Sequence, residues 1–102
     1  MSVTIKNKNN ILYAFIKGEI DHHSAPEIRG AIDDAILLYE NSKLVVIDFS
    51  GVTFMDSSGI AIILRVMKRV REIGGRACVE NPSSQANRVI DASGIYRLVN
   101  VI

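Results

Sequence analysis

Four runs of branched and aromatic apolar residues alternate along this chain with three stretches of helical period. That alternation argues for an α/β fold, one sheet with helix cover. The first run, Ile11-Leu12-Tyr13-Ala14-Phe15-Ile16, is apolar on both alternating faces and reads as a buried strand, whereas Lys6 to Asn10 before it is polar and turn-like. Gly18 to Ser24 reads as a polar connection. Ile28, Ala31, Ile32, Ala35, Ile36 and Tyr39 then recur at the spacing of an amphipathic helix. Two start signals compete there: Ser24 and Glu27 have capping-box spacing, whereas Pro26 at the first helical position makes Ala25 the cap. Asn41-Ser42-Lys43 closes that helix. Leu44-Val45-Val46-Ile47-Asp48-Phe49 is continuous enough for a parallel strand covered on both faces. Ser50-Gly51 reads as a turn, and Val52 to Met55 as a short extended stretch. A second helix follows Asp56-Ser57-Ser58-Gly59, with a predicted core stripe of Ile60, Ile63, Leu64, Met67 and Val70 and a stop at Gly74-Gly75. Arg76 to Glu80 is a third strand, with Cys78 as a small core residue. Gln85 to Ala92 is a third helix, stopped at Ser93-Gly94, and Leu98 to Ile102 a last strand.

At 102 residues, 48% hydrophobic and 23% charged, the chain suits one domain with a core that needs no covalent staples. A single cysteine permits no intramolecular disulfide, which fits a reducing compartment. No cationic start precedes a long apolar run, so no signal peptide is expected. Uninterrupted apolar runs such as Ile60 to Leu64 fall far below the ~20 residues that cross a bilayer. A net charge of +1 exerts no general pull on nucleic acid. Its distribution is uneven: residues 1–58 carry five Lys/Arg against eight Asp/Glu, and residues 59–102 seven against three. The sign changes at Asp56-Ser57-Ser58-Gly59. Arg65, Lys68 and Arg69 share the helix face opposite the predicted stripe, with Arg71 nearer its edge, as a solvated face or a docking surface for an acidic partner. Aromatic residues do not interleave with these cations, which disfavours nucleic acid.

Enzymatic readings find little support. A serine-hydrolase elbow needs Gly-x-Ser-x-Gly, but Met55 stands two residues before Ser57. A small hydrolase would need Ser57 or Ser58 activated by His22 or His23. Those two histidines and one cysteine do not make a zinc set, and neither a phosphate-binding loop nor a dinucleotide fingerprint occurs. No metal, cofactor or catalytic activity is therefore expected. In Asp56-Ser57-Ser58-Gly59, an aspartate or serine can cap the helix. A serine hydroxyl at such a terminus can also accept a phosphoryl group, its oxygens favoured by the helix N-terminus and opposed by Asp56.

Gly18-Glu19-Ile20-Asp21-His22-His23, Val52-Thr53-Phe54-Met55-Asp56-Ser57-Ser58-Gly59-Ile60 and Asp91-Ala92-Ser93-Gly94-Ile95 occur in that order. Together they resemble the bacterial anti-sigma factor antagonists of the wider STAS domain family, over nearly the whole chain. The resemblance implies a single STAS-type domain over residues 1–102, with a mixed central β-sheet flanked by α-helices. The family usually adds a helix after the last strand, which this sequence lacks. It implies a cytoplasmic, non-enzymatic regulator of sporulation or stress transcription that binds no nucleic acid or membrane. Its implied partners are an anti-sigma factor serine kinase and a PP2C-like serine phosphatase. Ser58 is the implied phosphoacceptor, framed by Asp56, Ser57 and Gly59; Asp21 is implied to meet a basic residue of the kinase. His22, His23, Ser93 and Gly94 match motif positions near the same end. A non-phosphorylated STAS scaffold in a signalling or transporter complex is the alternative, and the serine before glycine favours the switch.

Overall fold

The computed structural model describes residues 1–101. In chain order it contains β1 (Ser2–Lys8), β2 (Ile11–Ile20), α1 (Ala25–Leu38), β3 (Leu44–Met55), α2 (Ser57–Glu72), β4 (Arg76–Glu80), α3 (Ser84–Ser93), a 3-10 turn at Ile95–Arg97 and β5 (Asn100–Val101). The strands form one sheet in the order β1-β2-β3-β4-β5. β1 is antiparallel to β2, and every other neighbouring pair is parallel. The α/β class and the mixed sheet are thus as expected.

Strand alternation sorts the side chains into two faces. Leu12, Ala14 and Ile16 of β2, Val45, Ile47 and Phe49 of β3, and Val79 of β4 join the buried residues of all three helices in one core. The helix cover belongs to that side. On the opposite face Val46 lies in register between Tyr13 and Cys78. Tyr13 and Phe15 stack there with ring centroids 5.9 Å apart, and Lys6 Nζ stands 5.7 Å from the Phe15 ring. Cys78 is buried as predicted, but on this second face; burial, then nearby Glu80, pushes its thiol pKa up.

Several boundaries differ from the sequence reading, each for a physical reason. Lys6 to Asn10 is not all turn. Residues 2–8 form an edge strand whose polar side chains face water, and only Asn9 and Asn10, with φ of 53° and 60°, make the hairpin. β2 runs on to Ile20, so the connection shrinks to Asp21–Ser24. Ser50-Gly51 is not a turn but part of β3, where the partnering steps from Phe15↔Asp48 to Lys17↔Gly51. A second step, from Gly18↔Val52 to Glu19↔Phe54, follows at once. Such bulges insert residues without ending the ladder. They explain why the core positions of β3 go from every second residue to Phe49, Val52 and Met55.

α1 has Ser24 at its N-cap position without a side-chain cap, and Pro26 in its first turn, so neither start signal operates as written. α2 stops at Glu72, and Gly74 takes the left-handed φ of 79° that its type permits. Its buried face, however, is Gly59, Ile62, Ile63, Val66 and Val70. Leu64 is 45% exposed, and Ile60 and Met67 are only partly covered. The helix is apolar around so much of its circumference that period alone left its rotation open; contact with the sheet selects it. The last strand is short: Leu98 is exposed, pairing begins at Asn100, and Ile102 lies outside the described residues.

The rotation of α2 predicts an inverted pair of mutational costs. Ile62→Ala should lose about 2–5 kcal/mol of unfolding free energy, as buried isoleucines do. Leu64→Ala should lose less than about 1 kcal/mol. Urea denaturation of both variants checks the order, and equal losses would contradict the observed face.

Candidate functional site

Parallel strands release their loops at one sheet edge, where sites in α/β folds gather. β2 and β3 end there in register, Ile20 opposite Met55. The ladder extends one bond beyond them, from the Asp56 N–H to the Ile20 carbonyl at 3.1 Å. The Asp21–Ser24 loop and the start of α2 are therefore held side by side by backbone alone.

Asp56 is extended, with φ −107° and ψ −167°, and its carboxylate accepts the Ser58 N–H at 2.8 Å. This is side-chain capping of an otherwise unpaired helical donor. Between the two candidate acceptors, Ser57 is exposed and Ser58 half-buried. Ser58 is thus not sealed inside the molecule. Its backbone serves the cap, and among the described residues its hydroxyl has no protein hydrogen bond. Gly59 is buried because α2 crosses the end of β3 there: a Cβ at this position would overlap the Met55 thioether. Met55 is itself only 1% exposed and has little room to withdraw.

The neighbouring loop is tied by its own aspartate. Asp21 Oδ1 accepts the N–H groups of His23 and Ser24, both at 2.9 Å. Ser24 Oγ in turn accepts the Asp21 N–H at 3.0 Å and donates to the Glu19 carbonyl at 2.9 Å. The Ser24 N–H bond, aided by that of His23, holds the Asp21 carboxyl below its usual range against the opposing effect of partial desolvation. His22 and His23 are exposed, their rings 5.8 Å apart. Among the described residues no three His, Cys, Asp or Glu side chains converge as a metal set would.

His22, Ala25, Pro26, Arg29, Ser58 and Ala61 line a shallow depression of about 160 Å³ between α1 and α2. It unites Ser58 with the first loop. It also brings in Arg29, which nothing in the linear motif marks, because the approach depends on how the two helices pack. Ser93 and Gly94 are elsewhere. α3 begins beside the site, where Ser83 Oγ donates to the Val52 carbonyl at 2.7 Å and Gln85 Oε1 accepts the Met55 N–H at 2.8 Å. The helix then carries the chain back toward the other ends of the strands, so its final residues are a helix length from that junction. There Gly94 takes a left-handed φ of 78°, and Ser93 Oγ bonds the Ile90 carbonyl and the Ile95 N–H. Ser83 and Gln85 cover the edge of β3 beyond the end of β4, a role visible only in the folded chain.

The basic face of α2 is not a uniformly solvated stripe. Arg65 reaches across to Asp33 of α1, Nη2 to Oδ2 at 2.8 Å, and Arg69 Nη1 lies 3.9 Å from the same oxygen. Two of the four cations thus brace the helix pair.

Two substitutions test these loops. Asp56→Ala should lower stability by about 1 kcal/mol in denaturant unfolding, as the loss of a cap does. For Asp21, the folded carboxyl is the stronger acid, so its stabilisation is present above the ordinary aspartate range and lost as pH falls through the folded value. Asp21→Asn should flatten the fall of the thermal midpoint below about pH 4; an unchanged slope would show that the loop bonds do not matter.

Residues 2–102 match the family model described as STAS domain. The anti-sigma-B factor antagonist of Bacillus subtilis is 30% identical over 101 residues, covering 99% of this chain and 90% of that one. The unphosphorylated form of the anti-sigma factor antagonist SpoIIAA superposes with a TM-score of 0.82 at 26% identity, covering 99% of this chain and 88% of that chain. The phosphorylated form of Bacillus SpoIIAA superposes with a TM-score of 0.73 at 26% identity, covering 99% of this chain and 91% of that one. By sequence over its whole length and by the arrangement of its strands and helices, this chain belongs to the STAS domain family, among its anti-sigma factor antagonists.

Proposed function

We propose that this protein is an anti-sigma factor antagonist whose unphosphorylated form binds an anti-sigma factor serine kinase, frees the sigma factor, and is switched off by phosphorylation of Ser58. One observation carries the reading. The Ser58 hydroxyl lies accessible at the first turn of α2, with its N–H engaged by Asp56, beside the tied loop of Asp21, His22 and His23. That the related SpoIIAA exists in unphosphorylated and phosphorylated forms supports it.

In the proposed reaction the Ser58 hydroxyl gives up its proton and its oxygen bonds the γ-phosphorus of ATP held by the kinase. The bond from that phosphorus to ADP breaks, and ADP leaves. A separate serine phosphatase reverses the modification by hydrolysis. Asp21, with one oxygen committed to its own loop, offers the other to a basic group of the kinase. Asp56, Ser57 and Gly59 present the acceptor, and His22 and His23 extend the contact surface.

Phosphorylation ends binding through charge and bulk, without refolding. Transfer requires the acceptor oxygen to approach the nucleotide to about 3–3.5 Å. A phosphoserine of about −1.5 to −2 charge at the same place then faces the nucleotide phosphates. At ~6 Å and an effective dielectric of ~20, each such pair of like charges costs roughly 3 kcal/mol, about a hundredfold in affinity.

Incubation with candidate anti-sigma kinases and ATP, followed by mass-spectrometric mapping, should place one phosphate on Ser58. Ser57→Ala should still accept it and Ser58→Ala should not; label retained in Ser58→Ala would refute the assignment. Calorimetric titration of Ser58→Asp with the kinase should show binding weakened by about tenfold or more. Undiminished affinity would mean that local charge is not the switch.

A further inference from the structure

The seam between α1 and α2 is a ladder of opposed side chains in which one rung lacks its anion. The two helices run in the same direction. At the lower rung Asp33 of α1 receives Arg65 and Arg69 of α2. One helical turn earlier on α1 stands Arg29, and one turn before Arg65 on α2 stands Ala61, with Ser58 a further turn up. Arg29, Ala61 and Ser58 line the same depression. At this upper rung the cation is on α1 and the group opposite is a neutral hydroxyl. Arg29 is exposed and makes no ion pair among the described residues.

Resting on the reading of Ser58 as the modified residue, we infer that Arg29 is the intramolecular receptor of the Ser58 phosphate, closing over it to form a second α1–α2 ion pair. A guanidinium is suited to this because its planar fork can meet two phosphate oxygens at once. The depression of about 160 Å³ leaves room for the group. His22, on the rim, adds a ring donor, and the α2 N-terminus adds favourable dipole. The opposing charges are Asp56, whose carboxylate caps the same turn, and Asp21 in the adjoining loop. Phosphorylation thereby does two things: it adds charge to the docking surface, and it withdraws Arg29 from whatever that surface contacts.

The test installs phosphoserine at position 58 directly, by peptide ligation or encoded incorporation, so that it does not depend on any kinase. A ³¹P NMR titration of the parent sequence, Arg29→Gln and Arg29→Lys, each bearing this phosphoserine, reads the second ionisation of the phosphate. That ionisation ordinarily lies at about pH 6. With Arg29 as receptor it should lie at least about half a unit lower in the parent than in Arg29→Gln, with Arg29→Lys between, and the gap should shrink in high salt. In a parallel thermal cycle, phosphate should raise the unfolding midpoint of the parent relative to its unmodified form by more than it does in Arg29→Gln. Coincident titrations and equal midpoint changes in parent and Arg29→Gln would overturn the inference, circular dichroism having confirmed that both are folded. Failure of every candidate kinase to label Ser58 would count instead against the proposed switch and leave the titration result standing as a property of the seam.

Discussion

The long parallel pairing of β2 with β3 is the constraint on which the site depends. It carries β3 through two register steps and still brings Ile20 opposite Met55. The backbone bond from Asp56 to Ile20 then joins the outgoing loop to the outgoing helix. Without that registration, Asp21 and Ser58 would be two polar residues on separate segments. With it, two residues 37 positions apart in sequence share a single surface. The bulges matter because they restore the inward direction of Val52 and Met55 after the regular alternation ends at Phe49.

Placement of Ser58 is a packing result as much as a capping result. Gly59 lets α2 approach the Met55 side chain, and this contact helps set the rotation in which Ile62, Ile63, Val66 and Val70 face the core. In that rotation Ser57 is the more exposed of the two serines and Ser58 turns toward α1. A side chain larger than hydrogen at 59 would force the helix outward or displace a buried thioether. The glycine that follows the serine is thus a steric requirement of the helix start.

Charge is arranged to the same end. The acidic first half and basic second half of the chain meet across the α1–α2 seam, where Asp33 holds Arg65 and approaches Arg69. Exposed pairs of this kind add little stability individually. Their effect here is on position, since they keep α1 and α2 aligned so that residues of the first loop and of the first turn of α2 share one depression. Among the described residues, the cations left without an anion on α2 are accordingly fewer than the linear run of Arg65, Lys68, Arg69 and Arg71 suggests.

By itself the sequence determined the element types other than β1, the α/β class, the glycine stop after α2 and the helix start at Asp56, because each follows from short-range period, turn chemistry or capping. The motif Asp56-Ser57-Ser58-Gly59 was legible as a helix start for the same reason, whereas the loop Asp21-His22-His23 stood out only through the family resemblance. The edge strand β1 was not: its polar side chains face water, and polarity in isolation looks like a turn. Nor was the continuity of β3 through Ser50-Gly51, since a bulge is defined only by the strand beside it. The rotation of α2, the pairing of Arg65 with Asp33, the cover given to β3 by Ser83 and Gln85, and the place of Arg29 beside Ser58 were decided by tertiary structure alone. The last three join residues about thirty positions apart, and local preference carries no information about which distant partner a side chain will meet once the core has closed.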